Sequence, residues 1–189
     1  MNYRRFGKII FDCILSIILL FPLFPLLILL FIISSLDTRS NGVFFQKRVG
    51  QNGKTFVIFK LKTIDPKKGK SSSIGLILRK YKLDELPQLF NILKGDMSFV
   101  GPRPDIEGYY DTLEGDDRKV LQLKPGLTSE ASIKYSNEDI LLKSQKDPLL
   151  YNDSIIFPDK VKMNLNYLEN ISFKEDLRIL WRTFFKILK

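Results

Sequence analysis

The sequence predicts an α+β protein: a helical membrane anchor over residues 1–36, followed by a small mixed α/β domain over residues 37–189 with amphipathic helices at its surface. Three observations predict it. Cys13 to Leu36 holds no charged residue, β-rich runs with alternating polarity follow it, and helical patterns with capping residues come later. A chain of 189 residues has room for one ordinary domain. Apolar residues at 44% and charged residues at 27% exclude a wholly disordered chain.

The apolar run reads ILSIILLFPLFPLLILLFIISSL after Cys13. As a straight helix at ~1.5 Å per residue it would span a bilayer core of ~30 Å. A signal peptide fits poorly, because no small-x-small cleavage site precedes Asp37. Pro22 and Pro25 sit near its middle, where each removes an amide donor. Arg4, Arg5 and Lys8 flank one end, and Arg39, Lys47 and Arg48 the other, so the positive-inside rule gives no orientation. A helix-break-helix hairpin returning to the same face satisfies both facts. A proline-kinked single span satisfies the first, and a buried core helix is the third reading.

Beyond Asp37 the elements follow in order. Val43–Val49 and Lys54–Thr63 are strands joined by the hairpin turn Gly50-Gln51-Asn52-Gly53. Alternation puts Lys60 and Lys62 on one strand face, either solvated or binding phosphate. Asp65–Ser73 is a polar loop; its Gly69-Lys70-Ser71 has the form of a P-loop ending, but Ile64 stands where that motif needs glycine. Ile74 to Arg79 is helical. Leu86, Leu89, Phe90 and Leu93 recur at helical spacing, with Asp84 as N-cap, Pro87 in the first turn and Gly95 as the stop. Met97–Val100 is a short strand leading into Gly101-Pro102-Arg103-Pro104, where two prolines fix the direction of Arg103. Lys124–Thr128 is a second turn-like loop. Ser172 and Glu175 form a capping box for a last helix. Its stripe of Leu177, Leu180, Trp181, Phe184 and Leu188 suits either a headgroup plane or the core.

The chemistry is bounded by what is missing. With no histidine and one cysteine, the chain has no Ser-His or Cys-His nucleophile, no imidazole zinc site and no internal disulfide. A net charge of +9 calls for an anionic partner: phosphate, nucleic acid or lipid headgroup. Nucleic acid is not expected, since no recognition motif is present. Asp84-Glu85 at a helix start is often only a cap worth roughly 0.5–2 kcal/mol. A helix N-terminus also attracts phosphate, and an ionised Asp is among the few nucleophiles left for phosphoryl transfer. Oxygen-only ligands with a diphosphate substrate point to Mg²⁺ rather than zinc.

The stretch Lys82–Pro104, KLDELPQLFNILKGDMSFVGPRP, resembles the signature of the bacterial sugar transferase family, the small monotopic polyprenyl-phosphate phosphoglycosyl transferases. The similarity extends to Gly42–Gln46, Arg48-Val49-Gly50, Phe59–Thr63, Arg79 to Leu86 and Lys124–Thr128, and so covers nearly the whole chain. The resemblance implies transfer of a sugar-1-phosphate from a nucleotide diphosphate sugar, usually a UDP-sugar, to polyprenyl (undecaprenyl) phosphate. This happens at the cytoplasmic face of the bacterial inner membrane, in the first membrane step of glycoconjugate biosynthesis.

By that resemblance Asp84 attacks the sugar-bearing phosphorus, expels UMP and contacts Mg²⁺, while Glu85 orients the site or assists proton handling. Lys60, Lys62, Arg79 and Arg103, with Pro102 and Pro104 framing the last, hold phosphates or nucleotide. The membrane segment is then re-entrant, with Phe24-Pro25 where the family has Ser-Pro and Pro22 additional. Thr128-Ser129-Glu130-Ala131 replaces the commoner Thr-Gly-Trp-Ala. A stand-alone catalytic unit is expected. The rival is a non-catalytic, membrane-anchored basic module that binds anionic lipid or a protein partner.

Overall fold

The computed structural model describes residues 3–187, so Leu188 of the expected stripe lies outside the described residues. After a π-helical turn, Tyr3–Gly7, helix α1 runs from Lys8 to Thr38 as one element. Pro22 and Pro25 lie inside it. Each withholds an amide from the carbonyl four residues earlier, Ile18 and Phe21, yet the flanking turns carry the helix past both. The expected break at Phe24-Pro25 is therefore not an interruption of the helix.

One face of α1 is docked on the domain along its whole length. Asp12, Ser16, Leu20, Leu27, Leu30, Ser34 and Thr38 are buried, at the three-, four- and seven-residue spacing of one helix face. At its start Lys8 Nζ donates to Asp176 at 2.7 Å, and the Phe99 amide donates to Asp12 at 3.2 Å. At its end Ser34 Oγ donates to the Lys62 carbonyl at 2.5 Å, and the Gly42 amide donates to Ser35 Oγ at 2.9 Å. The opposite face carries Ile14, Ile17, Phe21, Phe24, Ile28 and Ile32 outward, with Phe21 87% exposed. Among the described residues, α1 is the one helix long and apolar enough to cross a membrane.

Strands β1 (Val43–Val49) and β2 (Thr55–Leu61) form the expected hairpin, Val43 opposite Leu61 and Val49 opposite Thr55. Asn52 and Gly53 take the left-handed conformation its tight turn needs. The loop expected over residues 65–73 folds as a small antiparallel pair, β3 (Ile64–Asp65) with β4 (Lys70–Ser71). Helix α2 (Ser73–Lys80) is capped by Ser72, whose Oγ accepts from the Gly75 amide at 3.0 Å and donates to Asp37 at 2.6 Å. Helix α3 (Gln88–Lys94) ends at a left-handed Gly95, as expected.

Strand β5 (Ser98–Val100) lies parallel to β6 (Gly126–Thr128). This pairing explains two motifs at once. The Gly101 amide donates to the Thr128 carbonyl at 3.0 Å and the Gly126 amide to the Pro102 carbonyl at 2.8 Å. The two glycines touch backbone to backbone: a Cβ on Gly126 would lie 2.1 Å from the Gly101 nitrogen.

The sequence reading is silent on most of residues 105–170. There the chain forms α4 (Glu130–Lys134), α5 (Glu138–Lys143), α6 (Pro148–Tyr151) and α7 (Phe157–Asn170). Helix α7 had a legible signal, with Pro158 in its first turn and Val161, Asn164 and Leu168 buried at helical spacing. Helix α8 (Phe173–Ile187) starts with the Glu175 amide donating to Ser172 Oγ at 3.3 Å. Its inward face is Asp176 and Ile179, both fully buried, with Thr183 bonded to Thr128. Most of the stripe noted in the sequence points the other way: Leu177, Trp181 and Phe184 are exposed, while Leu180 packs against the main core.

The main core joins Leu20 and Leu27 of α1 to residues of β2, α3, β5, α7 and α8, Ile58, Leu89, Phe99, Val161 and Ile179 among them. A smaller cluster of Leu30, Leu61 and Leu78 takes Leu83 and Leu86 against it. Because the atoms opposing a Cβ on Gly126 are backbone, the contact has no side chain that can yield. Gly126→Ala is expected to cost about 3 kcal/mol and to lower Tm accordingly; an unchanged Tm would contradict the backbone contact.

Candidate active site

The site is built where the hairpin, the α2–α3 connection and the β5 loop meet. Helix α2 ends at Tyr81, and Lys82 turns the chain with φ 56°, a left-handed conformation rare for a side chain with a Cβ. That turn leads into a single 3₁₀ turn, Leu83–Glu85. Asp84 is therefore not the N-cap of α3. That position belongs to Pro87, which offers no side-chain cap. Leu83 and Leu86 pack onto the Leu30 cluster, and the two carboxylates between them are each 8% exposed.

The adjacent carboxylates have opposite surroundings. Glu85 Oε1 accepts from Lys60 Nζ at 3.2 Å and from an Arg103 Nη at 3.1 Å. Burial would raise its proton affinity, but Arg103 and Lys60 outweigh that and hold Glu85 below its ordinary range. Asp84 has no such partner: its Oδ1 is buried without a hydrogen bond. Burial first, and then the neighbouring Glu85, push Asp84 above the ordinary carboxylate range, against the pull of Lys60, Lys82 and Arg79. Lys60 is lowered by burial in spite of Glu85, and Arg103 is raised by Glu85.

Lys60 is held by α3. Asn91, fully buried, accepts from the Phe59 amide at 2.9 Å and donates to the Val57 carbonyl at 2.7 Å, so it occupies the outer edge of β2 beside Lys60. Arg103 is held by the glycine contact, with Pro102 and Pro104 buried on either side of it. The Arg103 side chain itself is half exposed.

A cavity of about 60 Å³, room for about two waters, lies beside Glu85 and is lined by Arg48, Lys60, Gln88, Arg103 and Asp105. Arg48 is a third cation there that the sequence reading did not single out for the site. Its guanidinium donates to Gln46 at 2.6 Å and to the Pro104 carbonyl at 3.5 Å, and lies 3.9 Å from Asp105, while its Nε is buried and unpartnered. Asn91 was also not singled out, since nothing in a helical pattern marks a residue that clamps a strand.

Two expected residues stand apart from this cluster. Lys62 follows the end of β2 and donates to Ser40 at 3.0 Å rather than to a carboxylate. Arg79 donates to Thr63 at 2.8 Å and acts on Asp84 only through its charge.

A divalent cation can be weighed against these donors. Among the described residues no group of three His, Cys, Asp or Glu could hold a metal. The unpartnered Asp84 oxygen suits Mg²⁺, which commonly takes one or two carboxylates together with substrate phosphate and water.

The comparisons with known proteins bear on this geometry. A family model described as bacterial sugar transferase matches residues 3–189. An uncharacterised sugar transferase of Bacillus subtilis is 30% identical over 191 residues, covering 96% of this chain and 87% of that protein. An undecaprenyl-phosphate galactose phosphotransferase of Salmonella typhimurium is 31% identical over 95% of this chain and 40% of its own length. A UDP-glucose:undecaprenyl-phosphate glucose-1-phosphate transferase of Xanthomonas campestris is 29% identical over 99% and 40%.

The two carboxylates predict stability changes of opposite sign. Asp84 binds its proton more tightly folded than unfolded, so its contribution falls as pH rises through the window between the two values. Asp84→Asn should leave Tm unchanged or raise it at neutral pH. Glu85 is the reverse: its contribution is present above the unfolded value and lost as pH falls through the folded one. Glu85→Gln should cost about 2 kcal/mol, less than a fully buried pair because Arg103 is half exposed. Equal losses in both variants would contradict the asymmetry.

Proposed function

The chain belongs to the bacterial sugar transferase family and is a phosphoglycosyl transferase, and we propose that it moves a sugar-1-phosphate from a UDP-sugar to undecaprenyl phosphate through a sugar-phosphoryl-aspartate on Asp84. The observation that carries the proposal is the contrast between two adjacent carboxylates. Glu85 is committed to two cations, while Asp84 keeps a buried oxygen free. The names of the Salmonella and Xanthomonas relatives supply the acceptor, and the latter the donor.

In this reading an Asp84 oxygen attacks the sugar-bearing phosphorus, and the bond from that phosphorus to the oxygen it shares with the nucleoside phosphate breaks, releasing UMP. An oxygen of undecaprenyl phosphate then attacks the same phosphorus, and the bond to Asp84 breaks, restoring the carboxylate. Burial and Glu85 make Asp84 more basic than a solvated carboxylate and so a better nucleophile, while Lys60, Lys82 and Arg79 favour its ionised form. Lys60, Arg48 and Arg103, fixed before the donor arrives, balance charge on the phosphoryl oxygens. Mg²⁺, held by Asp84 together with the donor, would supply neutralisation of the diphosphate.

In this reading the outward apolar face of α1 is buried in a membrane. We read the anchor as re-entrant, with the domain on the cytoplasmic face of the inner membrane. Support comes from docking at both ends: Lys8 and Asp12 bond one side of the domain, Ser34 and Ser35 another. A straight crossing would draw those polar contacts into the bilayer at one end or detach them. Helix α8 lies in the headgroup plane in this reading, with Leu177, Trp181 and Phe184 toward acyl chains and Lys174 and Lys186 at the phosphates.

Release of UMP from a panel of UDP-sugars, with undecaprenyl phosphate and Mg²⁺, tests the chemistry. Wild type should release it and Asp84→Asn should not, a loss of at least about 10³-fold, with sugar phosphate trapped covalently on wild type when lipid is withheld. Equal release by both would remove Asp84 as nucleophile. A binding module would release none and be indifferent to the substitution. Topology is checked separately: single cysteines placed at residues 4 and 40 in a Cys13→Ser background should both be labelled from the cytoplasmic side, and labelling from opposite sides would defeat the re-entrant reading.

A further inference from the structure

A polar pair stands beyond Arg103 that the proposed chemistry does not use. Lys160 Nζ of α7 lies 2.7 Å from both carboxylate oxygens of Glu138, the first residue of α5. The side chains are 20% and 27% exposed, so they are held in place yet remain reachable. Lys160 shares a face of α7 with Phe157, Val161 and Asn164. That face is pinned to the segment that continues Arg103-Pro104-Asp105: the Phe157 ring is 5.1 Å from Tyr109 and 5.2 Å from Tyr110, and Asn164 donates to the Tyr110 hydroxyl at 3.1 Å. The pair is also close enough for Glu138 to act on Arg103 and for Lys160 to act on Asp105, both lining residues of the cavity.

We propose that Glu138 and Lys160 form the sugar-recognition edge of the donor site and read hydroxyl groups of the transferred hexose. This rests on the phosphoglycosyl transfer proposed above. The charge pattern argues for it. Arg48, Lys60 and Arg103 suit phosphate, whereas a carboxylate already neutralised by an ammonium attracts no further phosphate and suits an uncharged polyol. Neither group is saturated. The ammonium has three donors and the carboxylate about four acceptor sites, so each can still bond a hydroxyl. Connectivity argues the same way. The sugar hangs directly on the phosphorus that Asp84 attacks, while the nucleoside is one phosphate further away. The uncharged group adjoining the Glu85–Arg103 pair is therefore the sugar.

The test uses the full-length protein and a panel of UDP-glucose, UDP-galactose, UDP-N-acetylglucosamine and UDP-N-acetylgalactosamine, with undecaprenyl phosphate as acceptor. Inhibition by UMP, which carries no sugar, is measured in parallel. Glu138→Gln and Lys160→Gln should change the ratio of kcat/KM between donors by about tenfold to a hundredfold, with UMP inhibition unchanged. Lys160→Arg and Glu138→Asp, which keep the pair and fold more surely, should shift the ratio in the same direction by less. Loss in equal proportion for every donor overturns the assignment. Weakened UMP inhibition in step with the donors assigns the pair to the nucleoside and overturns it as well. A wild type that turns over no donor would defeat the underlying transferase reading, and the two failures are distinguished because that one precedes any variant.

Discussion

The arrangement of the site depends on one buried charge. Glu85 draws Lys60 from the hairpin and Arg103 from the β5 loop onto a single carboxylate oxygen, and three separate pieces of chain converge there. Each piece has its own brace. Asn91 clamps the edge of β2, the Gly101–Gly126 contact sets the loop, and Lys82 turns the chain into the 3₁₀ step. A buried carboxylate with two partners is tolerable where a lone one is not. The neighbouring Asp84 is left without a partner, at a cost the fold bears because the rest of the cluster is satisfied. That asymmetry, one carboxylate spent on architecture and its neighbour left unspent, is what gives adjacent acids different chemical characters.

Two glycine-containing motifs distant in sequence turn out to be one device. Gly101 and Gly126 approach so closely that neither admits a Cβ, and their amides cross-bond the two loops. Pro102 and Pro104 in one segment and Pro125 in the other suggest stiffness as the whole purpose. Their positions suggest something narrower: Pro102 supplies a carbonyl to Gly126, Pro125 supplies one to Ser98, and Pro104 supplies one to Arg48. The rigid loop thereby orients one cation and accepts from another.

Much of the fold was legible because local rules and tertiary demands agreed. The hairpin with its tight turn, the Gly95 stop, the α2 segment and the Ser172 cap all follow from residues acting on their near neighbours, although the second strand ends at Leu61, two residues short of Thr63. The failures are equally physical. Asp84 read as an N-cap because its spacing to the apolar pattern suits one, but Lys82 adopts a left-handed turn that no propensity favours and starts the helix later. The apolar stripe of α8 read equally as a face for a headgroup plane or for the core, and it could not decide between them because the true inward face contains a buried Asp176, which a hydrophobic pattern cannot flag. Residues 105–156 carry short helices and single turns too brief for periodicity to place, and contacts such as the Tyr110 hydroxyl with Asn164 of α7 hold them. Among the candidate site residues, Asp84, Glu85, Lys60 and Arg103 were singled out through motifs, whereas Arg48 and Asn91 act across strands and needed three dimensions to be seen.

The packing of Leu83 and Leu86 on Leu30 has a consequence for where the chemistry takes place. These leucines bracket Asp84 and Glu85, and Leu30 belongs to α1, so one layer of side chains separates the carboxylates from the anchor. The anchor is thus less a tether than a depth gauge. In the proposed placement, the height at which α1 sits in the bilayer would fix the height of Asp84 above the acyl chains, because the leucines pack one directly on the other. A lipid phosphate acceptor, confined to its own plane, would then have to meet the proposed nucleophile at that level.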